Sequence, residues 1–424
     1  MSASASQRLV PVPEPALTPD EMIARATALQ PRLRDEQDET ERRGVHSEAL
    51  HQEFRTAGFY RCIQPRRFGG YEFDLKTFYR LAIELARGDP SAAWCLILGA
   101  GHSLMLGSYF DEQAQTDGFG PDGEFSAPSV AAPTGTATPV AGGWEIKGTW
   151  AYASGAPYAT HFLPSILIPG EDPERPRLGL ALIPRSQWKM LDDWGAILGM
   201  RGSGSNSIQV EHALVPANHV IPLDMWEIDV SRGTPGSRLH GNPMYAGRCL
   251  SFFHAELVSL MVGLGYAAID EYEKILHSKN TLFPPITPRY MHHDYQRPLG
   301  LALGMINAAE RLALNAGDVY MEYCRRGAES GAQFSIEDDL TLFASLEHGG
   351  RLVWEAVEML FRTCSSSGAK DGQRIQRYYR DVSMYRGHIS SQYETVAQRL
   401  ALVHLGLTKD AGMQGRAAKK EPPR

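Results

Sequence analysis

The hydrophobic positions in the first third of the chain recur at the spacing of an α-helix. Thr18-Pro19-Asp20-Glu21 combines an N-cap hydroxyl, a proline at the first helical position and acids in the first turn, and Gly44 provides a stop, which together predict one long helix. Apolar residues then follow helical spacing from Leu75 to Ala86. Asp89-Pro90-Ser91 opens a strongly apolar helix over Ala92–Leu106. This part of the chain is therefore predicted to be a helical domain.

The pattern changes between residues 125 and 223, where Gly, Pro, Thr and Val become frequent. Alternating or continuous β-branched runs appear there, separated by turn-forming clusters: Trp144–Tyr152, His161–Ile168, Leu178–Ile183 and Ser207–Val215. Short runs of this kind predict a small antiparallel sheet or barrel.

Within this region, Gly142–Gly155 carries the most informative pattern. Two short strands are predicted to turn at Lys147-Gly148, after which the chain runs extended through Trp150 and Tyr152 to Ala153-Ser154-Gly155. The aromatic rings provide a flat apolar wall, and the small residues let the backbone approach a ligand closely. A planar ring system with polar edges, such as an isoalloxazine, suits that wall. An ordinary β-hairpin whose tryptophans fill a core is the alternative.

Helical spacing returns after Cys249 in four long segments: Leu250–His277, Gln296–Arg325, Ile336–Cys364 and Arg380–Leu405. Four long amphipathic helices with short connections predict an antiparallel bundle. The intervening segments Leu223–Gly247 and Thr281–Pro298 are long enough to be covers or subunit contacts. The chain is therefore predicted to be an α+β protein in five parts: a flexible N-terminal arm over residues 1–17, an α-helical domain over 18–124, a middle antiparallel β domain over 125–223, a C-terminal four-helix-bundle domain over 224–407 and a disordered tail over 408–424.

Composition narrows the class of protein. The chain has 424 residues, of which 43% are hydrophobic and 21% charged, and a net charge of −7, with acids and bases interspersed. These values are typical of a globular protein. The negative net charge and the mixed charges do not predict the basic surface of a nucleic-acid-binding protein. No apolar run has the length needed to span a bilayer, and the N-terminus has no signal-peptide core, so a cytoplasmic protein with no membrane contact is predicted.

Other common site patterns are missing from the sequence. The five cysteines are far apart and show no CxxC pair, which predicts buried free thiols. His292-His293 are adjacent and diverge on any regular element, so no metal site is predicted. There is no glycine fingerprint of a dinucleotide-binding unit or a P-loop.

Five motifs, in this order, carry a resemblance to the acyl-CoA dehydrogenase superfamily over about residues 18 to 407: Phe68-Gly69-Gly70, Asp89-Pro90-Ser91, Trp150–Gly155, Leu198–Ser205 and Arg377–Asp381. The resemblance implies the acyl-CoA dehydrogenase-like fold, with an N-terminal helical domain, a middle antiparallel β domain and a C-terminal four-helix bundle. True acyl-CoA dehydrogenases need a carboxylate base, which in many of them follows the Arg-Asp of the last motif. Here Val382–Ser391 contains no acid and carries His388.

The chain more closely resembles the flavin-dependent monooxygenases of this fold. These are the oxygenase components of two-component systems, such as the 4-hydroxyphenylacetate and secosteroid phenol hydroxylases. The likeness rests on Trp94 with His102 two helical turns later. It rests also on Ser154 in the Ala-Ser-Gly step and on His388 after Arg380-Asp381.

The resemblance implies a function and its partners. Reduced FMN, with FAD as the alternative flavin, and molecular oxygen would form a flavin hydroperoxide that hydroxylates an aromatic or phenolic substrate, polycyclic phenols included. A separate NAD(P)H:flavin reductase would supply the flavin, and the chain would form a homotetramer. The alternatives are a nitrogen or sulfur oxygenase of the same fold, an acyl-CoA dehydrogenase with FAD, and a catalytically silent subunit that acts as a binding partner.

The resemblance also assigns residues. His102 is predicted to remove the substrate proton and His388 to hold or protonate the distal peroxide oxygen, although these two roles can be exchanged, and Ser154 to bond the substrate or flavin edge. The predicted flavin-binding residues are Trp94, Tyr152, Ala153, Ser154, Gly155, Arg201, Ser203 and Arg289. The structural alternatives are core packing for His102, a turn hydroxyl for Ser154 and a loop-shaping role for Arg201. Arg289 is expected to reach a neighbouring subunit's cofactor.

Overall fold

The structure is a computed structural model that describes residues 10–172, 174–330 and 334–407. Helices, a central sheet and further helices follow one another in the predicted order. The predicted tail and residues 1–9 of the predicted arm lie outside the described residues. Residues 10–17 of that arm pack against the body: Val10 and Val12 are buried, and the Val10 N–H donates to the carbonyl of Arg67 at 3.2 Å.

From residue 10 onwards, the N-terminal part contains five α-helices: α1 (Pro19–Arg43), α2 (Glu48–Thr56), α3 (Leu75–Gly88), α4 (Pro90–Tyr109) and α5 (Glu112–Phe119). α1 begins and ends as predicted, because Thr18 and Glu21 cap each other reciprocally and Gly44 closes the helix at a φ of 83°. α4 begins at Asp89, whose carboxylate accepts two backbone N–H groups of the first turn. α4 is apolar on all sides and almost wholly buried, as expected of a central helix.

The central part contains eight strands: β1 (Ser129–Val140), β2 (Gly143–Trp150), β3 (His161–Ile168), β4 (Arg177–Ala181), β5 (Ile183–Pro184), β6 (Lys189–Met190), β7 (Ile208–Pro216) and β8 (Val220–Pro222). Their order is β6-β7-β2-β1-β3-β4-β8, with β5 paired to β3. β1 and β3 are parallel and the other pairs antiparallel, so the sheet is mixed and not purely antiparallel as predicted. The cause is the segment after β2, which crosses to the far side of β1 before β3 begins.

The predicted turn at Lys147-Gly148 is wrong. β2 runs through both residues, and its hairpin is made with β1 through a turn at Ala141-Gly142. Gly148 is a packing residue, because a Cβ added there would lie 2.7 Å from the Trp150 ring. Trp150 is fully buried and its indole N–H donates to the Ser165 carbonyl at 3.0 Å, so this tryptophan fills the sheet's core.

The described residues of the C-terminal part form six α-helices: α6 (Pro235–His240), α7 (Leu250–Ser278), α8 (His293–Ser330), α9 (Ile336–Thr363), α10 (Arg374–Arg386) and α11 (Tyr393–His404). Three of the four predicted bundle helices correspond to α7, α8 and α9. The fourth, Arg380–Leu405, is wrong as a single helix, because it breaks after Arg386 and resumes at Tyr393. Side chains in the break replace helical hydrogen bonds: the Ser391 hydroxyl donates to the Tyr385 carbonyl at 2.6 Å.

The apolar helices form the interior of the molecule. α4 and α7 are long and apolar enough to cross a membrane by length and composition, although none was expected, but 94% and 89% of their most apolar windows are buried. They pack on each other and on α3, so they are core helices. All five cysteines are free and buried, as predicted.

Candidate functional site

Trp94 on α4 lies against the loop that follows β2. Its indole N–H donates to the Ser154 hydroxyl at 3.0 Å. The Ser154 hydroxyl is 2.8 Å from that of Ser205, which is 2.7 Å from that of Ser203. Three hydroxyls therefore form a continuous chain that starts at the edge of an indole ring, and they join the helical part to the sheet.

The loop that carries Ser154 has an unusual backbone. Tyr152 and Gly155 have φ values of 62° and 85°, a left-handed conformation that is ordinary for glycine and uncommon for tyrosine. The Gly155 N–H points at the carbonyls of Ser203 and Gly204, at 3.3 and 3.2 Å. A Cβ added to Gly155 would lie 2.8 Å from the carbonyl oxygen of Cys95. The close packing of this loop against Cys95 therefore requires glycine at position 155, whereas the close approach of the backbone to a ligand stays a prediction.

The two residues before Ser154 face in different directions. Tyr152 is 63% exposed and packs edge-on against Trp194, with ring centres 5.7 Å apart. Ala153 is buried, and its N–H donates to the Asn206 carbonyl at 3.2 Å. Of this predicted group, only Ser154 presents a polar side chain to Trp94.

His388 completes the group around Trp94. It lies in the break between α10 and α11 rather than on a bundle helix, and its ring meets the Trp94 indole edge-on at 5.7 Å. Its Nδ1 accepts the N–H of Ser390 at 3.2 Å, so the neutral ring carries its proton on Nε2. Burial lowers the pKa of His388 to about 4. At neutral pH His388 is therefore an uncharged donor.

His102 lies on the same helix as Trp94. The eight-residue offset corresponds to about 12 Å of axial rise, and the His102 ring contacts Phe253 of α7 at 5.4 Å. Its Nδ1 is 2.7 Å from the Ala127 carbonyl and donates to it, which leaves Nε2 as an acceptor. Burial lowers its pKa to about 4, although backbone hydrogen bonds oppose this. The structure thus places one neutral acceptor, His102, on α4 and one neutral donor, His388, against Trp94 of the same helix.

Arg201 does not contact this group. Its guanidinium donates to the Ile197 carbonyl at 2.6 Å and pairs with Glu41 at 3.1 Å. Arg377 and Arg380 pair with the same carboxylate at 2.8 Å each. Burial favours a higher pKa for Glu41, but the hydrogen bonds and charges of Arg380 and Arg377 outweigh it and lower the pKa. The three arginines line an open cleft of about 630 Å³ where α1, α10 and the 194–201 loop meet.

Arg289 lies in the segment that connects α7 to α8. Its Nε donates to the Asn280 carbonyl at 3.0 Å, and its guanidinium lies over the Tyr295 ring at 4.9 Å. One terminal nitrogen, Nη1, is buried without a hydrogen-bond partner. Within the chain, Arg289 contacts neither Trp94 nor Ser154.

Sequence reasoning missed several residues beside the site. Ser205 is the last residue of the Leu198–Ser205 motif, and that motif is a signal from which its hydroxyl could have been predicted to lie at the site. The Ser126 hydroxyl lies against Gly99 on α4, where an added Cβ would be 2.6 Å away. Phe253 and His254 are on α7 and carry no distinguishing pattern, because that helix is apolar along most of its length.

One histidine and aspartate group in the described part of the chain has ligand atoms close together. His292, His293 and Asp294 offer atoms within 4.8 Å of one another. The two imidazoles stack at 4.6 Å, and His292 Nδ1 accepts the N–H of Asp294. Two of the three residues are exposed, and we assign no metal to them.

Comparison with known proteins reveals similarity along almost the whole chain. Residues 256–393 match the family model described as acyl-CoA dehydrogenase, C-terminal domain. A pigment production hydroxylase of Rhodococcus sp. (strain ATCC 21145) is 27% identical over 391 residues, which cover 92% of this chain and 98% of the relative. The oxygenase subunit HsaA, a flavin-dependent monooxygenase of Rhodococcus jostii (strain RHA1), is 27% identical. The alignment covers 88% of this chain and 95% of the HsaA chain. The structure of XiaF from Streptomyces sp., in complex with FADH2 and glycerol, superposes with a TM-score of 0.83 at 21% identity, covering 93% of this chain and 97% of that one.

Proposed function

We propose that this chain, a flavin-dependent monooxygenase of the acyl-CoA dehydrogenase fold, is an oxygenase component that hydroxylates a phenol-type substrate with reduced flavin and oxygen. The group formed by Trp94, Ser154 and His388, with His102 further along α4, carries the proposal. A neutral donor and a neutral acceptor, each fixed by a backbone hydrogen bond, suit proton handling at two ends of one ligand-binding region.

The residues present fit a flavin. The Trp94 indole supplies an aromatic wall, and the Ser154 hydroxyl at its edge offers a hydrogen bond to a polar ring margin. Gly155, which has no Cβ, lets the Ser154 loop pack directly against Cys95 of α4 and so holds the Ser154 hydroxyl beside Trp94. Reduced flavin, when bound, supplies the electrons that activate oxygen and delivers one hydroxyl equivalent to the substrate.

The two histidines have proposed roles that follow from their tautomers. His102 accepts a hydrogen bond at Nε2 from a substrate hydroxyl. A phenol with a pKa of about 10 and an imidazole with a pKa of about 4 differ by about 8 kcal/mol in proton affinity, so His102 orients the hydroxyl and polarises it without taking the proton fully. His388 donates from Nε2 to an oxygen atom near the flavin, and Ser154 holds the flavin edge.

We also propose which flavin is bound, how the reduced flavin is supplied and where in the cell the protein acts. FMN is the proposed cofactor and FAD the alternative; titration of the protein with each reduced flavin, followed by mass spectrometry of the bound species, distinguishes them. A separate reductase is proposed, so the chain alone should not oxidise NADH or NADPH in the presence of flavin. We place the protein in the cytoplasm.

A homotetramer is proposed from the surface between α7 and α8. Its exposed apolar side chains include Leu282 at 75% and Phe283 at 76%, with Ile286, Met291 and Leu301 nearby in the chain. An apolar patch of this kind on a chain surface favours association. Sedimentation of the wild type and of Phe283→Ser tests it, and a monomeric wild-type protein would contradict the proposal.

The central test is stopped-flow mixing of the anaerobic protein and reduced FMN with oxygenated buffer, with and without a panel of phenols. The wild type is expected to give a transient absorbance and a hydroxylated product. His388→Asn should shorten the transient, and His102→Asn should keep the transient but lower product yield. His348→Asn is the control, because it changes a histidine on α9 that contacts the Tyr393 hydroxyl at the protein surface. This variant should give the wild-type transient absorbance and the wild-type product yield. Absence of product with every phenol would overturn the proposal.

An acyl-CoA dehydrogenase activity is the second candidate, because a base can come from another helix. Glu256 of α7 is the acid to consider, but its carboxyl packs against Gly101 and burial raises its pKa well above the usual value. It is thus a neutral acid and a poor base at neutral pH. Bleaching of FAD-loaded protein by an acyl-CoA, lost in Glu256→Gln, would favour this second function.

A further inference from the structure

Consecutive residues of α7 lie beside the two histidines assigned to catalysis. Phe253 contacts the His102 ring at 5.4 Å. His254, the next residue, is wholly buried, and its imidazole is close enough to His388 for the charge of one ring to disfavour the charge of the other. The proposed mechanism gives His254 no role, although a buried imidazole is costly to leave without partners.

His254 belongs to a cluster of buried polar atoms without hydrogen bonds. Both of its ring nitrogens lack a partner, as do Glu347 Oε1 on α9 and the Tyr385 hydroxyl on α10. His254 Nε2 and Glu347 Oε1 are 3.6 Å apart, slightly longer than a hydrogen bond. The ring is held by Phe343, which stacks on it at 4.2 Å and 11°. The packing therefore presents an imidazole edge to a carboxyl group.

The same cluster adjoins the turn that carries His388. The Tyr385 carbonyl accepts the His388 N–H at 2.9 Å and the Ser391 hydroxyl at 2.6 Å. The Tyr385 side chain enters the cluster over Gly350 of α9, where an added Cβ would lie 2.2 Å from its hydroxyl. One residue thus anchors the His388 turn by its backbone and places its side chain in the cluster.

The titratable groups that face the pair come from every surrounding element. They are Tyr385 of α10, His388 of the following turn and the exposed Glu394 at the start of α11. Burial, and next the charge of Glu394, raise the pKa of Glu347 to about 8. Burial, and next His388, lower the pKa of His254 to about 3. The pair therefore contains one proton at neutral pH, held by the carboxyl.

We propose that His254 and Glu347 hold one titratable proton between them and act as positioning residues for His388 through Tyr385, whose side chain enters their cluster and whose carbonyl anchors the His388 turn. The inference rests on the proposed function for the use of the His388 donor, but the pair itself exists in the flavin-free chain. When the pair loses that proton, the Glu347 carboxylate becomes an acceptor for the neighbouring Tyr385 hydroxyl, which otherwise has no hydrogen-bond partner. The new hydrogen bond moves Tyr385 and, with it, the turn that presents the His388 Nε2 donor.

The test compares the wild type, Glu347→Gln and Glu394→Gln between pH 6 and 9.5. In the stopped-flow assay the lifetime of the transient absorbance should change through about pH 8 in the wild type. Glu347→Gln should remove this transition, because an amide holds no titratable proton. Glu394→Gln, a change on the protein surface, should keep the transition and move it to lower pH, because the charge that raises the pKa of Glu347 is gone.

Thermal unfolding of the flavin-free proteins over the same pH range supplies a readout that needs no flavin chemistry. The difference in Tm between the wild type and Glu347→Gln should change across the same transition. If Glu347→Gln retains the wild-type pH profile in both measurements, the inference is wrong. If the wild type gives no transient absorbance, the proposed function fails instead, and the Tm profile alone decides whether the pair shares its proton.

Discussion

Replacing Glu347 with glutamine is expected to remove a pH-dependent loss of stability. In the folded chain the pKa of Glu347 is raised from 4.5 to about 8, mainly by burial. The pKa of His254 is lowered from 6.5 to about 3, also mainly by burial. Stability falls with rising pH wherever the folded state binds more protons than the unfolded state.

The sign follows from counting protons on the pair. Between about pH 4.5 and 6.5 each state holds one proton, on Glu347 when folded and on His254 when unfolded, so the pair adds no slope. Between about pH 6.5 and 8 only the folded pair keeps its proton, and stability falls as the pH rises. Below about pH 4.5 the unfolded pair holds two protons and the folded pair one, so stability falls as the pH drops.

The size follows from the width of the upper window. About 1.5 pH units at about 1.36 kcal/mol per unit give about 2 kcal/mol, and water that reaches the carboxyl reduces this to about 1–2 kcal/mol. For a chain of this length the corresponding change in Tm is about 1–2 °C. In Glu347→Gln only His254 titrates, its folded pKa is depressed, and it adds no slope above about pH 6.5.

Differential scanning calorimetry of the flavin-free wild type and Glu347→Gln at half-unit steps from pH 5 to 9 measures this effect. All other titrating groups cancel in the difference between the two proteins. Because His254 titrates in both proteins, the wild type should lose stability relative to the variant from the lowest pH of the series up to about pH 8, and about 1–2 °C of this loss should fall between about pH 6.5 and 8. His254→Phe, which keeps a ring against Phe343, should begin its decline near pH 4.5 because Glu347 then titrates alone. A wild-type minus Glu347→Gln difference that is constant over the range would refute the reasoning.

Three further predictions concern other contacts. Ser154→Ala removes the hydroxyl proposed to bond the flavin edge, and the loss of about 1 kcal/mol should raise the Kd for reduced flavin about fivefold in an anaerobic fluorescence titration; an unchanged Kd would place Ser154 outside the flavin site. Gly148→Val forces a side chain against the Trp150 ring and should lower stability by about 1–3 kcal/mol in urea unfolding. Glu41→Gln leaves three guanidinium groups without their shared carboxylate; a loss of about 2 kcal/mol, smaller at high salt, is expected in the same assay.

The helix ends were predictable because their signals are local. Thr18 and Glu21 cap each other within one turn, and Gly44 closes the same helix without help from distant residues. The strands depended on packing. β1 was missed because its Gly-, Pro- and Thr-containing sequence becomes a strand only by pairing with both β2 and β3. Gly148 suggested a turn, but it is a glycine that makes room for an indole ring.

The candidate site shows the same division between local signals and distant packing. Trp94, Ser154 and His388 stand in recognisable motifs, and the structure places them together. Their protonation states could not be predicted, because an imidazole is charged or neutral according to its burial and its neighbours in space. For His388 the cause is burial, and its charge in turn disfavours a charge on His254, which the sequence presents as one more position in an apolar helix. The residues proposed for catalysis can thus be found from motifs, whereas the burial that sets their protonation states emerges only from the packed core.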